Sequence, residues 1–168
     1  PCNVANICCG AAVPLSIAVR SLCAFTARAG DLDMRFTPAP SASQGVEGHQ
    51  ALQRQRIATS ATYEAEVPLQ GTWQDLQGRG RADGYDRATR TLEEIKTTRV
   101  PAAQIKANQR ALHWAQARIY GHMLCLRDGL PAVTLALVYV QLTTGKEQVL
   151  QERWSATDLQ AFFEQQCQ

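Results

Sequence analysis

The chain has 168 residues, 45% of them hydrophobic, with a formal net charge of +2. That length and apolar fraction fit one globular domain with a substantial core, and the net charge is too small to announce a nucleic-acid binder. The charges are uneven, however: nine Lys/Arg stand against four Asp/Glu between Arg79 and Arg118, an excess that suits an anionic partner there.

The opening run "PCNVANICCGAAVPLSIAV" is apolar. It lacks a basic start and is interrupted by Asn3, Asn6 and Pro14, so it does not read as a membrane span. Residues 1–13 read as a leader or non-native extension, and 14–168 as a single domain. From Val13 to Ala29 apolar residues recur at helical spacing, with Gly30 as a stop, which predicts a first helix. The Pro/Ser-rich "FTPAPSAS" is a connector, after which Ser43 is expected to cap a helix through "QGVEGHQALQRQRIA".

Three short segments follow, "TYEAEVPLQGTW", "DLQGRGRADGYD" and "TRTLEEIKTT". Their alternation and turn residues predict an antiparallel meander. Pro101 opens the longest helical pattern, ended by "RDGLP", with Ile105, Leu112, Ala115, Ile119 and Met123 as its apolar face. The β-branched run "AVTLALVYVQL" predicts a strand buried mid-sheet, paired with "KEQVLQERW" through a Thr143–Gly145 turn. Ser155 caps a last helix. The predicted class is α/β (α+β), a central mixed sheet of about five strands flanked by helices.

Within "LEEIKTTR", alternation puts Leu92, Glu94 and Lys96 on one face and Glu93, Ile95 and Thr97 on the other. A hairpin through Tyr85 to Arg90 brings Glu94 back beside Asp83. Two carboxylates from neighbouring strands suit a hard divalent ion, Mg2+ or Mn2+, with Lys96 close enough to support an attacking water. Glu93 reads as a bystander. On the long helix Gln109, His113, Gln116 and Tyr120 form a polar stripe, from which Gln116 and Tyr120 could reach a phosphate. On the earlier helix His49 or Glu47 offers a further ligand, and spacing does not choose between them.

Together "GVEGH", "GRADG", "EIK" and "QARIY" resemble, in that order, the motifs of the PD-(D/E)XK nuclease superfamily, in its RecB-like exonuclease branch. The resemblance implies a restriction-endonuclease-like core over about Ser43 to Val149. It implies metal held by His49, Asp83, Glu94 and the main-chain carbonyl of Ile95, and catalysis by Asp83, Glu94, Lys96, Gln116 and Tyr120. A looser likeness, through "VRSLCAFTARAGDLDMRF" and "SASQGVEGHQALQRQR", is to the amino-terminal nuclease-like domain of bacterial DinG/XPD-type DNA helicases, which implies helicase domains in a longer native chain.

Two departures stand out. "TTGKEQ" has a Gly-Lys pair but neither the upstream Gly nor the following Ser/Thr of a phosphate-binding loop. After the Gln-x-x-x-Tyr helix only Cys125 and Cys167 remain, too few for the iron-sulfur cluster of some relatives, so no cluster is expected. The six cysteines show neither a secreted disulfide spacing nor a CxxC knuckle, which favours a reducing, cytoplasmic setting.

The leading expectation is therefore a Mg/Mn-dependent DNA nuclease acting on single strands or duplex ends in DNA repair or processing. Arg79, Arg81, Arg99, Lys106 and Arg110 are the candidates for tracking the nucleic-acid backbone. The alternative is a catalytically silent DNA-binding or docking module of a helicase.

Overall fold

The computed structural model describes residues 15–27 and 39–168. The expected leader at 1–13, the Gly30 stop and the start of the Pro/Ser-rich connector lie outside them. The elements run β1 (Leu15–Ala18), α1 (Val19–Thr26), α2 (Ala42–Thr59), β2 (Tyr63–Trp73), β3 (Leu76–Asp86) and β4 (Thr91–Thr98). A 3-10 turn at Ala102–Gln104, α3 (Ala107–Asp128), β5 (Ala132–Gln141), β6 (Lys146–Ser155) and α4 (Ala156–Cys167) complete the order.

Three local expectations change. The predicted first helix begins only at Val19, because Leu15–Ala18 is drawn into the sheet beside Leu76–Arg79 of β3. A long-range backbone ladder there overrides local helical spacing. The second helix is capped by Ser41 rather than Ser43. Ser41 Oγ accepts the Gln44 amide at 3.3 Å while Gln44 Oε1 accepts the Ser41 amide at 3.2 Å. Only Ser41 has a Gln three residues on to close this reciprocal box; Ser43 has Val46.

The long helix proper starts after Lys106, Pro101 having opened the 3-10 turn instead, and it ends at Gly129, whose φ of 64° is a left-handed stop. "TTGKEQ" forms the β5–β6 turn, with Gly145 at φ 69°.

The sheet is mixed. β2 runs antiparallel along β3 from Leu76 to Asp86, with a break opposite Asp83. The opposite edge of β3 is shared: β1 pairs in parallel with its first residues, and β4 pairs antiparallel with Gly84–Asp86. β4 continues parallel to β5, and β5 antiparallel to β6. Helices α1, α3 and α4 cover one face in a core that includes Leu22, Ile119, Met123, Leu135 and Phe163. On the other face Leu52 of α2 meets Ile95, Ala136, Val138 and Val140.

Arg118 fastens α3 to β6 and α4. Its guanidinium lies 4.8 Å from the Trp154 ring centre and 5.5 Å from that of Phe162, and it pairs with Glu152 at 3.0 Å. Among the described residues no helix is long and apolar enough to cross a membrane.

Candidate metal centre

The shared edge of β3 creates the site. Pairing between β3 and β4 stops at Gly84↔Glu93, so the next opposed residues, Asp83 and Glu94, stand in the opening of a fork. Asp83 Oδ2 accepts the amide hydrogen of Ile95 at 2.6 Å, so a side chain spans the gap the ladder leaves.

The faces of β3 also change phase here. Gly78 and Gly80 lie against Met123 and Tyr120 of α3, and Ala82 continues that face into the main core. Tyr85, not Gly84, is next in the same core, while Gly84 lies under Tyr63. The alternation slips at Asp83 and turns its carboxylate out of the regular pleat.

β2 slips at the same level. Its register with β3 omits the Glu66–Asp83 pair, and Glu66 takes φ 54°, a left-handed conformation costing roughly 1–2 kcal/mol for a residue with a Cβ. Buried Gln53 of α2 bridges the break: its Nε2 donates to Glu66 Oε1 at 2.9 Å and to the Asp83 carbonyl at 2.8 Å.

Gly45 and Gly48 bring α2 close to the sheet. A Cβ on Gly45 would meet Thr97 Oγ1 at 3.3 Å, and one on Gly48 would press into Leu142. One residue on, His49 Nε2 reaches within 3.2 Å of Asp83 Oδ1. His49, not Glu47, lines the cleft. Contact with Asp83 raises the imidazole above its ordinary value, against the opposing effect of burial. His49, Glu66 and Asp83 offer ligand atoms all within 4.8 Å of one another.

Glu94 sits on the α3 side, 4% exposed. Its Oε1 pairs with Lys96 Nζ at 2.6 Å, and Lys96 also donates to Gln116 Oε1 at 2.9 Å. Its Oε2 is buried without a hydrogen-bond partner. Burial holds the carboxyl well above its ordinary value; Lys96 opposes that and Asp83 adds to it. An uncompensated buried carboxylate oxygen is costly, and a cation is its natural complement. Hard oxygen ligands and one imidazole fit Mg2+ or Mn2+.

Tyr120 lies over Gly80, where its phenol is pushed up by burial and by Glu94 and Asp83. The cleft holds about 540 Å³ and joins His49, Asp83, Glu94, Ile95, Lys96, Gln116 and Tyr120, every residue expected in the metal and catalytic sets.

The expected backbone-tracking residues divide. Arg81 lines this cleft, and Arg79 and Arg81 line a neighbouring groove. Arg99 is exposed and donates to Gln44, and Lys106 is exposed at the start of α3. Arg110 is half-buried, with Nη2 on the Ala102 carbonyl at 3.0 Å.

The polar stripe on α3 faces inward: His113 Nδ1 lies 2.9 Å from the Tyr139 hydroxyl, and burial pushes its imidazole down to about 3. Glu93 is not a solvated bystander either. It is buried, taking hydrogen bonds from Arg56 at 3.2 Å and Tyr63 at 2.7 Å, and so ties α2 to β4.

Sequence reasoning missed Glu66, Gln53 and Arg20, the last of which lines the cleft from α1. Glu66 had a signal. Counting outward equally from the Gln74–Asp75 turn puts it opposite Asp83. Gln53 and Arg20 had none, since Gln53 acts through contacts distant in sequence and Arg20 reaches the cleft only through the placement of α1.

No protein-family model and no curated protein matches the chain. Among solved structures it is similar to the crystal structure of SSO0001, with a TM-score of 0.52 and 18% identity, covering 90% of this chain and 75% of that one. At that identity the likeness carries the fold alone.

Proposed function

We infer that the chain is a metal-dependent nuclease of the PD-(D/E)XK type, hydrolysing phosphodiester bonds in DNA, on single strands or ends. The observation that carries this reading is Glu94: a buried carboxylate with one oxygen on Lys96, the other without a partner, and Asp83 across the fork.

Asp83 and Glu94 would hold Mg2+ or Mn2+, with His49 and the Ile95 carbonyl completing the set and Glu66 near enough to join it. When bound, the ion supplies Lewis acidity that polarises the phosphate and lowers the pKa of water. The chain's own residues do the rest. Lys96 places a positive charge where negative charge grows in the transition state, and Gln116 fixes its ammonium. Tyr120 and Arg20 stand at the cleft wall to orient phosphate oxygens. Asp83 keeps its direction through the Ile95 amide.

The buried free thiols of Cys23 and Cys125 fit the cytoplasmic setting proposed for such an enzyme. DNA repair or processing, in partnership with helicase domains, is the role proposed for it.

Labelled single-stranded and duplex DNA, incubated with Mg2+ or Mn2+, tests this. Cleavage should appear with the parent chain and fall at least a hundredfold in Asp83→Ala and Lys96→Ala. Undiminished cleavage in both variants would refute the site. Metal-independent binding without cleavage would favour the silent docking module. Binding should weaken with salt as Lys/Arg contacts release counterions.

A further inference from the structure

A groove of about 800 Å³ lies beside the candidate catalytic cleft. Pro68, Leu69 and Leu126 give it apolar walls, and Arg79, Arg81 and Arg127 a cationic rim, with no acidic side chain among the lining residues. Leu126 is 59% exposed, a large apolar surface left to water. Arg81 lines both the groove and the cleft, so the two adjoin at that side chain.

We propose that this groove carries the single strand of nucleic acid that leads to or from the scissile phosphate. The proposal rests on the nuclease reading of the neighbouring cleft, and it names the form of substrate that reading takes. A single strand presents a phosphate at every step and flat base faces that are poorly hydrated. The groove offers the complement of each. A duplex hides its base faces by stacking and has no use for apolar walls.

The arginines differ in the part they play. Arg127 is held in its plane by Asp128, Nε to Oδ1 at 2.7 Å and Nη2 to Oδ2 at 3.1 Å. Its Nε and Nη2 are engaged by Asp128, which leaves the guanidinium face fixed and fit to stack on a base. Arg81 is 68% exposed and only 3.6 Å from Glu66, a pairing that a phosphate can displace. Arg79 is exposed on β3, between Ala18 of β1 and Gln70 of β2.

The test measures binding, not cleavage. In EDTA, fluorescence anisotropy is read for labelled oligodeoxythymidines of increasing length with the parent chain and with Leu126→Asp, an exposed position whose substitution does not disturb the core. Parent affinity should climb with length and then level off, and a blunt duplex of equal length should bind more weakly. Leu126→Asp should bind the shortest strand unchanged and lose about tenfold on the longest.

A length-independent parent, an equal climb in Leu126→Asp, equal binding of duplex, or no binding at any length would overturn the groove assignment. Failure of the nuclease reading is seen separately. Length-dependent binding that persists with no cleavage in Mg2+ would sink the catalytic reading and leave the groove standing.

Discussion

Asp83 and Glu94 face each other across the mouth of a strand fork, one residue beyond the last pair of the β3–β4 ladder. Asp83 stays in place by taking the Ile95 amide at 2.6 Å, and Glu94 by pairing with Lys96 at 2.6 Å. Each acid is therefore directed by its neighbour on β4. Both acids reach one cleft because the ladder ends.

Metal binding should follow this geometry. Titration calorimetry with Mn2+ is expected to show binding by the parent and loss of it in Asp83→Asn, a near-isosteric change whose remaining oxygen still accepts the Ile95 amide. Thermal stability should rise with the ion, by about 2.7 kcal/mol at a hundred times its dissociation constant. Glu66→Gln distinguishes ligand sets: weaker binding adds Glu66 to the ion's shell, and unchanged binding leaves it to Arg81 and Gln53 alone. Heat of binding that survives in Asp83→Asn would dismiss the centre.

Lys96 and Glu94 stabilise as a pair and destabilise apart. Lys96→Met should cost about 3 kcal/mol in metal-free buffer, because it leaves a buried carboxylate without its cation. Burial already raises the Glu94 carboxyl, and without Lys96 it rises further. A raised folded value means the variant keeps its stability below the ordinary carboxylate range and loses it as pH increases. Glu94→Gln combined with Lys96→Met should recover most of the loss. Urea melts of Lys96→Met, Glu94→Gln and the double variant at two pH values check this, and additive losses in the double variant would argue against coupling.

Gly80 gives Tyr120 its place. A Cβ there would collide with the phenol oxygen, so Gly80→Ala should displace the ring and cost about 1–3 kcal/mol. Pairing it with Tyr120→Phe removes that oxygen and should restore part of the stability but not the cleavage. Equal melting of Gly80→Ala and parent would show that the ring has room to move.

His113 should impose an acid sensitivity. Its imidazole is held down to about 3 by burial, with Lys96, Arg20 and Arg110 adding repulsion, against an ordinary value of 6.5. The depressed folded value means its contribution is full above about pH 6.5 and falls as pH drops toward 3, by up to about 1.4 kcal/mol per pH unit. His113→Gln removes that slope, so the difference between the two pH–stability curves isolates it. Parallel curves would rule the effect out.

Much of this was legible in the chain itself. The order of elements from the second helix onward, the meander, the buried strand and the last helix follow from apolar periodicity, turn residues and capping serines. Those signals are local. The same holds for the pairing of Glu94 with Lys96 on one face and Ile95 on the other, which two-residue alternation dictates wherever a strand is regular.

Tertiary structure decided what depends on interrupted regularity. Leu15–Ala18 is a strand only because β3 offers it an edge, and Asp83 turns toward the fork only because β2 and β3 slip together at Glu66. Glu93, indistinguishable from Glu94 by composition, is fixed by Arg56 and Tyr63 far along the chain. Periodicity assigns a side chain to a face. Which charges lie buried there, and which oxygen lacks a partner, is set by contacts between segments that only the folded chain brings together.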